Sequence, residues 1–133
     1  MSLDNQSVVQ RAYDSFARGD LDGLLDMLTE DVRWSTVGPE KASAFFGERI
    51  GREGAAEYFR RLSEIVEITD ISPNQFLTNG DTVVVLGHSD GVSRRTGDSM
   101  RAQWVQVFTV RGDQISSYQE FADNTVILDA LAA

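Results

Sequence analysis

The stretch TVVVLGHSDGVSRRTGDSMRAQWVQVFTVRGDQISSYQEFAD, residues Thr82 to Asp123, decides the fold. It reads as three β-strands joined by turns. Thr82 to Val92 is built around Val83, Val84, Val85 and Leu86. Ser93 to Asp98, with Arg-Arg-Thr-Gly, is a turn, and Arg101 to Val110 is the next strand. Arg111-Gly112-Asp113 then turns the chain into Gln114 to Ala122. That triplet also spells a cell-adhesion ligand, but between two β-patterned runs it reads as a tight turn. Upstream, Ile68 to Thr78 forms a further strand, and Asn79-Gly80 is a strong hairpin signal. Pro73 places that strand at an edge or a bulge, because proline cannot donate to a central ladder. Downstream, Asn124 to Leu131 closes the chain as a short apolar helix.

The first half of the chain changes period. Residues 4 to 18 read as an amphipathic helix capped by Asp4, with Val9, Tyr13 and Phe16 beside Val8 and Ala12. Gly19 ends it, and Asp20 caps a second, short helix carrying Leu21, Leu24, Leu25 and Leu28. Asp31 to Val37 is extended, with Val32, Trp34 and Thr36 on one face. Gly38 to Gly51 reads as a loop. From about Glu53 to Val66 a third helix aligns Ala55, Phe59, Leu62 and Val66. Helices first, one leading strand, then four antiparallel strands predict an α+β fold, one domain over residues 1–133. A strongly curved sheet against the helices leaves a pocket on its concave side.

Composition narrows the function. With 41% apolar and 25% charged residues, the chain can bury a real core, so disorder and coiled coil are excluded. No apolar run approaches the ~18–20 residues that span a bilayer. The start MSLDNQSVVQ has no basic and then apolar pattern of a secretory signal, and there is no cysteine, both of which fit a cytoplasmic protein. Twelve basic against 21 acidic residues give a net charge of -9, which disfavours nucleic acid and anionic membrane as partners. One histidine, no cysteine and no His-x-x-x-His or Glu-x-x-His spacing predict no metal. A phosphate-binding glycine loop and a nucleophile elbow are also missing, so no cofactor is expected.

Two segments carry a family resemblance. Tyr13-Asp-Ser-Phe-Ala-Arg-Gly-Asp-Leu-Asp-Gly-Leu-Leu-Asp-Met-Leu-Thr-Glu-Asp-Val-Arg-Trp34 resembles the N-terminal signature of SnoaL-like proteins. Trp104-Val-Gln-Val-Phe-Thr-Val-Arg-Gly-Asp-Gln-Ile, continuing through Tyr118-Gln-Glu-Phe-Ala-Asp123, is similar to the same group. These belong to the NTF2-like superfamily with ketosteroid isomerases, limonene-epoxide hydrolases and polyketide cyclases. The resemblance implies a cone enclosing a pocket, often dimeric through its sheet. The isomerase base position falls at Thr36 and its acid position at Trp104, so that chemistry is disfavoured. Of the hydrolase pattern, the arginine falls at Leu86, one aspartate at His88 and the last aspartate on Asp123. Its water-holding pair falls at Trp34 and Thr36.

These positions define the candidate site. His88 and Asp123 are the expected catalytic pair, Asp123 as base or water activator and His88 as proton donor. Trp34, Trp104, Phe108 and Tyr118 are expected walls; Tyr13, Thr36 and Gln106 are the polar groups that would fix a substrate. Plainer explanations stand beside these: a hydrogen-bonded structural histidine, an aspartate capping the last helix, tryptophans in the core. The expected function is cofactor-free isomerase, cyclase or hydrolase chemistry on a small apolar organic molecule. The alternative is a non-catalytic ligand-binding or scaffold module. A homodimer is expected through the second face of the third antiparallel strand, Gln103, Val105, Val107 and Thr109.

Overall fold

The computed structural model describes residues 4–41 and 45–132. Its first helix, α1 (Asn5–Ala17), begins where the Asp4 carboxylate accepts the Ser7 N–H, and ends at Gly19, whose φ of 73° suits a residue without Cβ. Asp20 then caps α2 (Leu21–Asp26) through the Gly23 N–H. Four further pieces follow: β1 (Leu28–Val37), β2 (Gly47–Ile50), α3 (Gly51–Ile65) and β3 (Val66–Asn79). The chain is completed by β4 (Thr82–Ser93), β5 (Ser99–Arg111), β6 (Gln114–Ala122) and α4 (Asn124–Ala132).

The six strands make one sheet in the order β2-β1-β6-β5-β4-β3. Only β1 and β6 run parallel, a pairing that needs everything between them as its crossover. The other neighbours are antiparallel. The fold is α+β: α1 packs over β3 to β6 and α3 over β1, on one face of the sheet. Register shifts in β3 between Ile68 and Asp70, and between Pro73 and Gln75, bend the edge strand that carries Pro73. The Gly80-Asp81 turn, with Gly80 at φ 59°, joins β3 to β4, and Asn5 Nδ2 on α1 donates to the Gly80 carbonyl at 2.8 Å. No helix among the described residues is long and apolar enough to cross a membrane.

Several boundaries differ from the sequence reading; Val66, for one, leaves the third helix and opens β3. Leu28, assigned there to the second helix, starts β1, is fully buried and pairs with Ile115 of β6. The Ile115 N–H donates to the Met27 carbonyl at 2.8 Å, so sheet pairing overrides the helical spacing of the leucines. The expected loop Gly38 to Gly51 contains β2, whose Ile50 pairs with Arg33; its residues 42–44 lie outside the described residues. Helix α3 starts at Gly51 instead of Glu53. Four residues are too short for a strand to show a period of its own, and β2 exists because the β1 edge offers it partners.

The inner face of the sheet is set by alternation. Val32, Trp34 and Thr36 of β1 are buried, as are Trp104, Gln106 and Phe108 of β5. Gly87 of β4 lies under the Trp104 ring: a Cβ there would come to 2.6 Å from the indole and 2.2 Å from the Ser72 carbonyl oxygen. Gly87→Ala is therefore expected to lower unfolding free energy by about 1–3 kcal/mol in urea titration and to shift tryptophan emission. An unchanged midpoint would mean that Trp104 moves aside freely.

Candidate functional site

Between the helices and the inner face lies a cavity of about 130 Å³. At ~30 Å³ per water that is room for about four waters, close to the ~150 Å³ of a cavity that admits one benzene-sized molecule. Its floor is built by consecutive inward positions of two strands, Trp104, Gln106 and Phe108 on β5 and Tyr118, Glu120 and Ala122 on β6. Tyr13 of α1, Trp34 of β1 and Tyr58 of α3 close the sides. The rim is formed around Ser89 to Gly91 of β4, Met100 of β5 and Ile127 of α4.

Of the residues expected to contact a substrate, Tyr13, Trp34, Trp104, Gln106, Phe108 and Tyr118 all line this cavity. Thr36 is buried next to it, paired in register with Glu120, but is not part of the lining. The expected catalytic pair lies elsewhere. His88 and Asp123 line a shallow groove on the opposite, outer face with Leu86, Gln103, Val105 and Phe121. Parity is the cause: Val83 and Val85 point inward, so Leu86 and His88 point out. His88 Nδ1 lies 3.2 Å from Asn74 Oδ1. Asp123 caps α4, its Oδ1 accepting the Thr125 N–H at 3.2 Å, while its own N–H donates to the Gln103 carbonyl.

The buried carboxyl at the floor of the cavity is that of Glu120, only 8% exposed and absent from the sequence-based candidates. It was detectable there: it stands two residues after Tyr118, so any strand that turns Tyr118 inward turns Glu120 inward too. Gln106 Nε2 donates to Glu120 Oε2 at 2.6 Å and the Tyr118 hydroxyl donates to the same oxygen at 2.9 Å. The Tyr13 hydroxyl in turn donates to Gln106 Oε1, so the proton expected to meet a substrate is engaged with the protein. Burial pushes the Glu120 carboxyl above the ordinary carboxylate range, and the bonds from Gln106 and Tyr118 offset only part of that. Burial, then the charge of Glu120, raises the Tyr13, Tyr58 and Tyr118 phenols, which stay protonated and able to donate.

Aromatic rings hold this arrangement. Trp34 stacks on Tyr118 with centroids 3.9 Å apart, and Tyr13 lies parallel to Trp104 at 6.0 Å. Trp104 Nε1 donates to Ser89 Oγ at 2.8 Å, which fixes the indole over Gly87. Among the described residues, no hydrogen-bond partner reaches the buried Trp34 Nε1 or Thr36 Oγ1. On the outer face, Asp70, His88 and Asp90 bring ligand atoms within 4.8 Å of one another and could hold a cation. The Arg101 guanidinium already takes both Asp90 oxygens, at 2.7 and 3.1 Å, and holds that carboxyl below its usual range.

A helix-covered, mostly antiparallel six-stranded sheet of this kind is shared with solved NTF2-like proteins. The chain belongs to the SnoaL-like domain family, whose model matches residues 9–118. It is similar to an NTF2-like protein of unknown function from Burkholderia pseudomallei, at TM-score 0.90 and 23% identity, covering 98% of this chain and 99% of that one. An NTF2-like protein from Burkholderia xenovorans aligns at TM-score 0.83 and 28% identity over 98% of both chains. TerC, co-crystallised with polyporic acid, aligns at TM-score 0.88 and 22% identity over 97% and 98%. No curated protein matches the sequence.

The raised proton affinity of Glu120 has a measurable sign. Its neutral form is favoured in the fold, so its contribution to stability is full below the ordinary value of 4.5 and is lost as pH rises through the folded value. Glu120→Gln cannot ionise. The variant should gain stability relative to wild type as pH rises from about 4 to 8 in parallel urea melts. A difference independent of pH would show that the carboxyl titrates as it does in water.

Proposed function

We propose that the chain binds a small, mostly apolar organic molecule in the inner cavity, and that Glu120 exchanges a proton with it. In this reading the protein performs cofactor-free, acid–base chemistry of the isomerase, cyclase or hydrolase type. The observation that carries it is a lone carboxyl at the floor of an apolar, aromatic chamber, with a raised proton affinity and with donors fixed on one oxygen. A carboxyl that titrates nearer neutrality is a better proton acceptor from weakly acidic groups and a ready donor in return. Tyr118 and Gln106 hold the ionised form in place. The aromatic walls give the carboxyl apolar surroundings, which strengthens both hydrogen bonds. The solved complex of TerC with polyporic acid supports the idea that this architecture admits small guests. His88 and Asp123 are left with positional roles on the outer face.

The test uses β-tetralone, a small ketone with acidic C–H bonds, in deuterated water. Wild type should stabilise on adding the ketone and speed its deuterium exchange, followed by NMR. Glu120→Gln should lower that exchange at least about 100-fold, the usual scale of a lost general base, with binding largely kept. Binding with no exchange in either protein would favour the non-catalytic, ligand-binding alternative. Exchange unaffected by Glu120→Gln would remove Glu120 from the chemistry.

We infer in addition that a second copy of the chain covers the outer face of the sheet. Val37, Phe121, Val105 and Leu86 are consecutive register partners on four neighbouring strands, and Val107, Val84 and Leu77 form the adjoining row. Val37, Leu77 and Phe121 are exposed in the single chain. An apolar face of this kind marks an interface. Sedimentation should give a dimer for wild type and a monomer for Phe121→Arg, with unchanged circular dichroism. A monomeric wild type at micromolar concentration would end this inference.

A further inference from the structure

On the reading that the inner cavity takes a small guest, we propose that this guest carries a basic nitrogen, protonated when bound, with its ammonium at Glu120 and its carbon body among the aromatic faces. The argument begins with charge. Ion pairs among the described residues join Arg18 to Asp20, Arg33 to Glu48, Arg101 to Asp90 and Arg111 to Asp31; none involves Glu120. Among the described residues, no lysine, arginine or histidine lines the cavity. The other acid of the lining, Asp90 at the rim, is held by Arg101. Glu120 is therefore the one carboxyl of the chamber with no positive group beside it. A buried carboxylate in that state is costly until a counter-charge arrives.

The geometry leaves a place for that charge. Both protein donors converge on Glu120 Oε2, and no hydrogen bond among the described residues reaches Oε1. Trp34, Trp104, Tyr118 and Phe108 surround the same space, and the negative faces of such rings attract an ammonium that has lost its water. An anion would meet the negative faces of those rings and the carboxylate; Tyr13 and Tyr118 already donate within the protein, and the Trp34 N–H and Tyr58 hydroxyl are neutral groups that carry no balancing charge. A neutral alcohol could fill the hydrogen bond at Oε1 but would supply no counter-charge to the ionised form.

Three guests of one shape separate these cases: benzylamine as the cation, benzyl alcohol as the neutral molecule and benzoate as the anion. Calorimetry and thermal shift on the wild-type chain should give benzylamine at least about tenfold tighter than benzyl alcohol, and benzoate no binding. Glu120→Gln should erase the preference for the amine while benzyl alcohol changes less than about twofold. The comparison within wild type needs no variant, so it stands even if the substitution impairs folding. Equal binding of amine and alcohol, or tighter binding of benzoate, would overturn the assignment of the nitrogen and leave the cavity reading intact. No stabilisation by any of the three, nor by β-tetralone, would remove the cavity reading and this inference with it.

Discussion

The register between β5 and β6, with Gln106 opposite Glu120, is the constraint from which the interior follows. Side chains on a strand alternate, so a slip of one residue on β6 would exchange its two faces. Phe121 would then enter the core and Glu120 would reach solvent, an arrangement that hydrophobicity alone would prefer. The native register does the reverse. Tyr118 must face inward to stack on Trp34, Ile115 must fill the core beneath Leu28, and these demands carry Glu120 inside. An acid is buried because its neighbours two and five residues earlier are committed to the core, and the β-bulge opposite Thr109 and Val110 reconciles the odd spacing between them.

A carboxyl held this way is positioned by three separate elements. Helix α1 contributes Tyr13, β5 contributes Gln106 and β6 contributes Tyr118 and Glu120 itself. Gln106 can donate to the acid only because its carbonyl oxygen is taken by Tyr13; the amide orientation follows from the phenol beyond it. Such a chain costs little reorganisation when Glu120 changes charge, because the donors are already in place. The same chain removes the Tyr13 proton from use by a guest, which leaves the acid as the principal polar feature of the floor.

The sequence was legible wherever a single strand or helix carried its own pattern. Val32, Trp34 and Thr36 alternate cleanly; Pro73 betrays an edge; Gly19 and Gly80 mark the end of α1 and the turn after β3. It was illegible where a face is assigned by a neighbour. Four apolar residues in a row, Val83 to Leu86, give β4 no inside or outside of its own, so His88 could be placed on either face. The assignment comes from β5, whose Trp104 lies over Gly87 and thereby turns His88 outward. Glu120 was overlooked for the opposite reason: a charged residue in a strand reads as solvent-facing unless its alternation with Tyr118 is given more weight than its charge.

The two faces of the sheet divide the labour that the sequence seemed to give to one. The inner face combines aromatic bulk with a single acid, so any proton chemistry there rests on one titratable carboxyl and the guest's own groups, without a histidine to relay. The outer face combines the histidine with Leu86, Val105 and Phe121, residues that also form the apolar row. The groove joins residues of that apolar row to Asp123, whose carboxylate is occupied as a helix cap. Strand alternation couples the two: every residue that lengthens the apolar row outside on β5 and β6 fixes one more position inside. The chemistry of the chamber and the stickiness of the opposite surface are thus set by the same register.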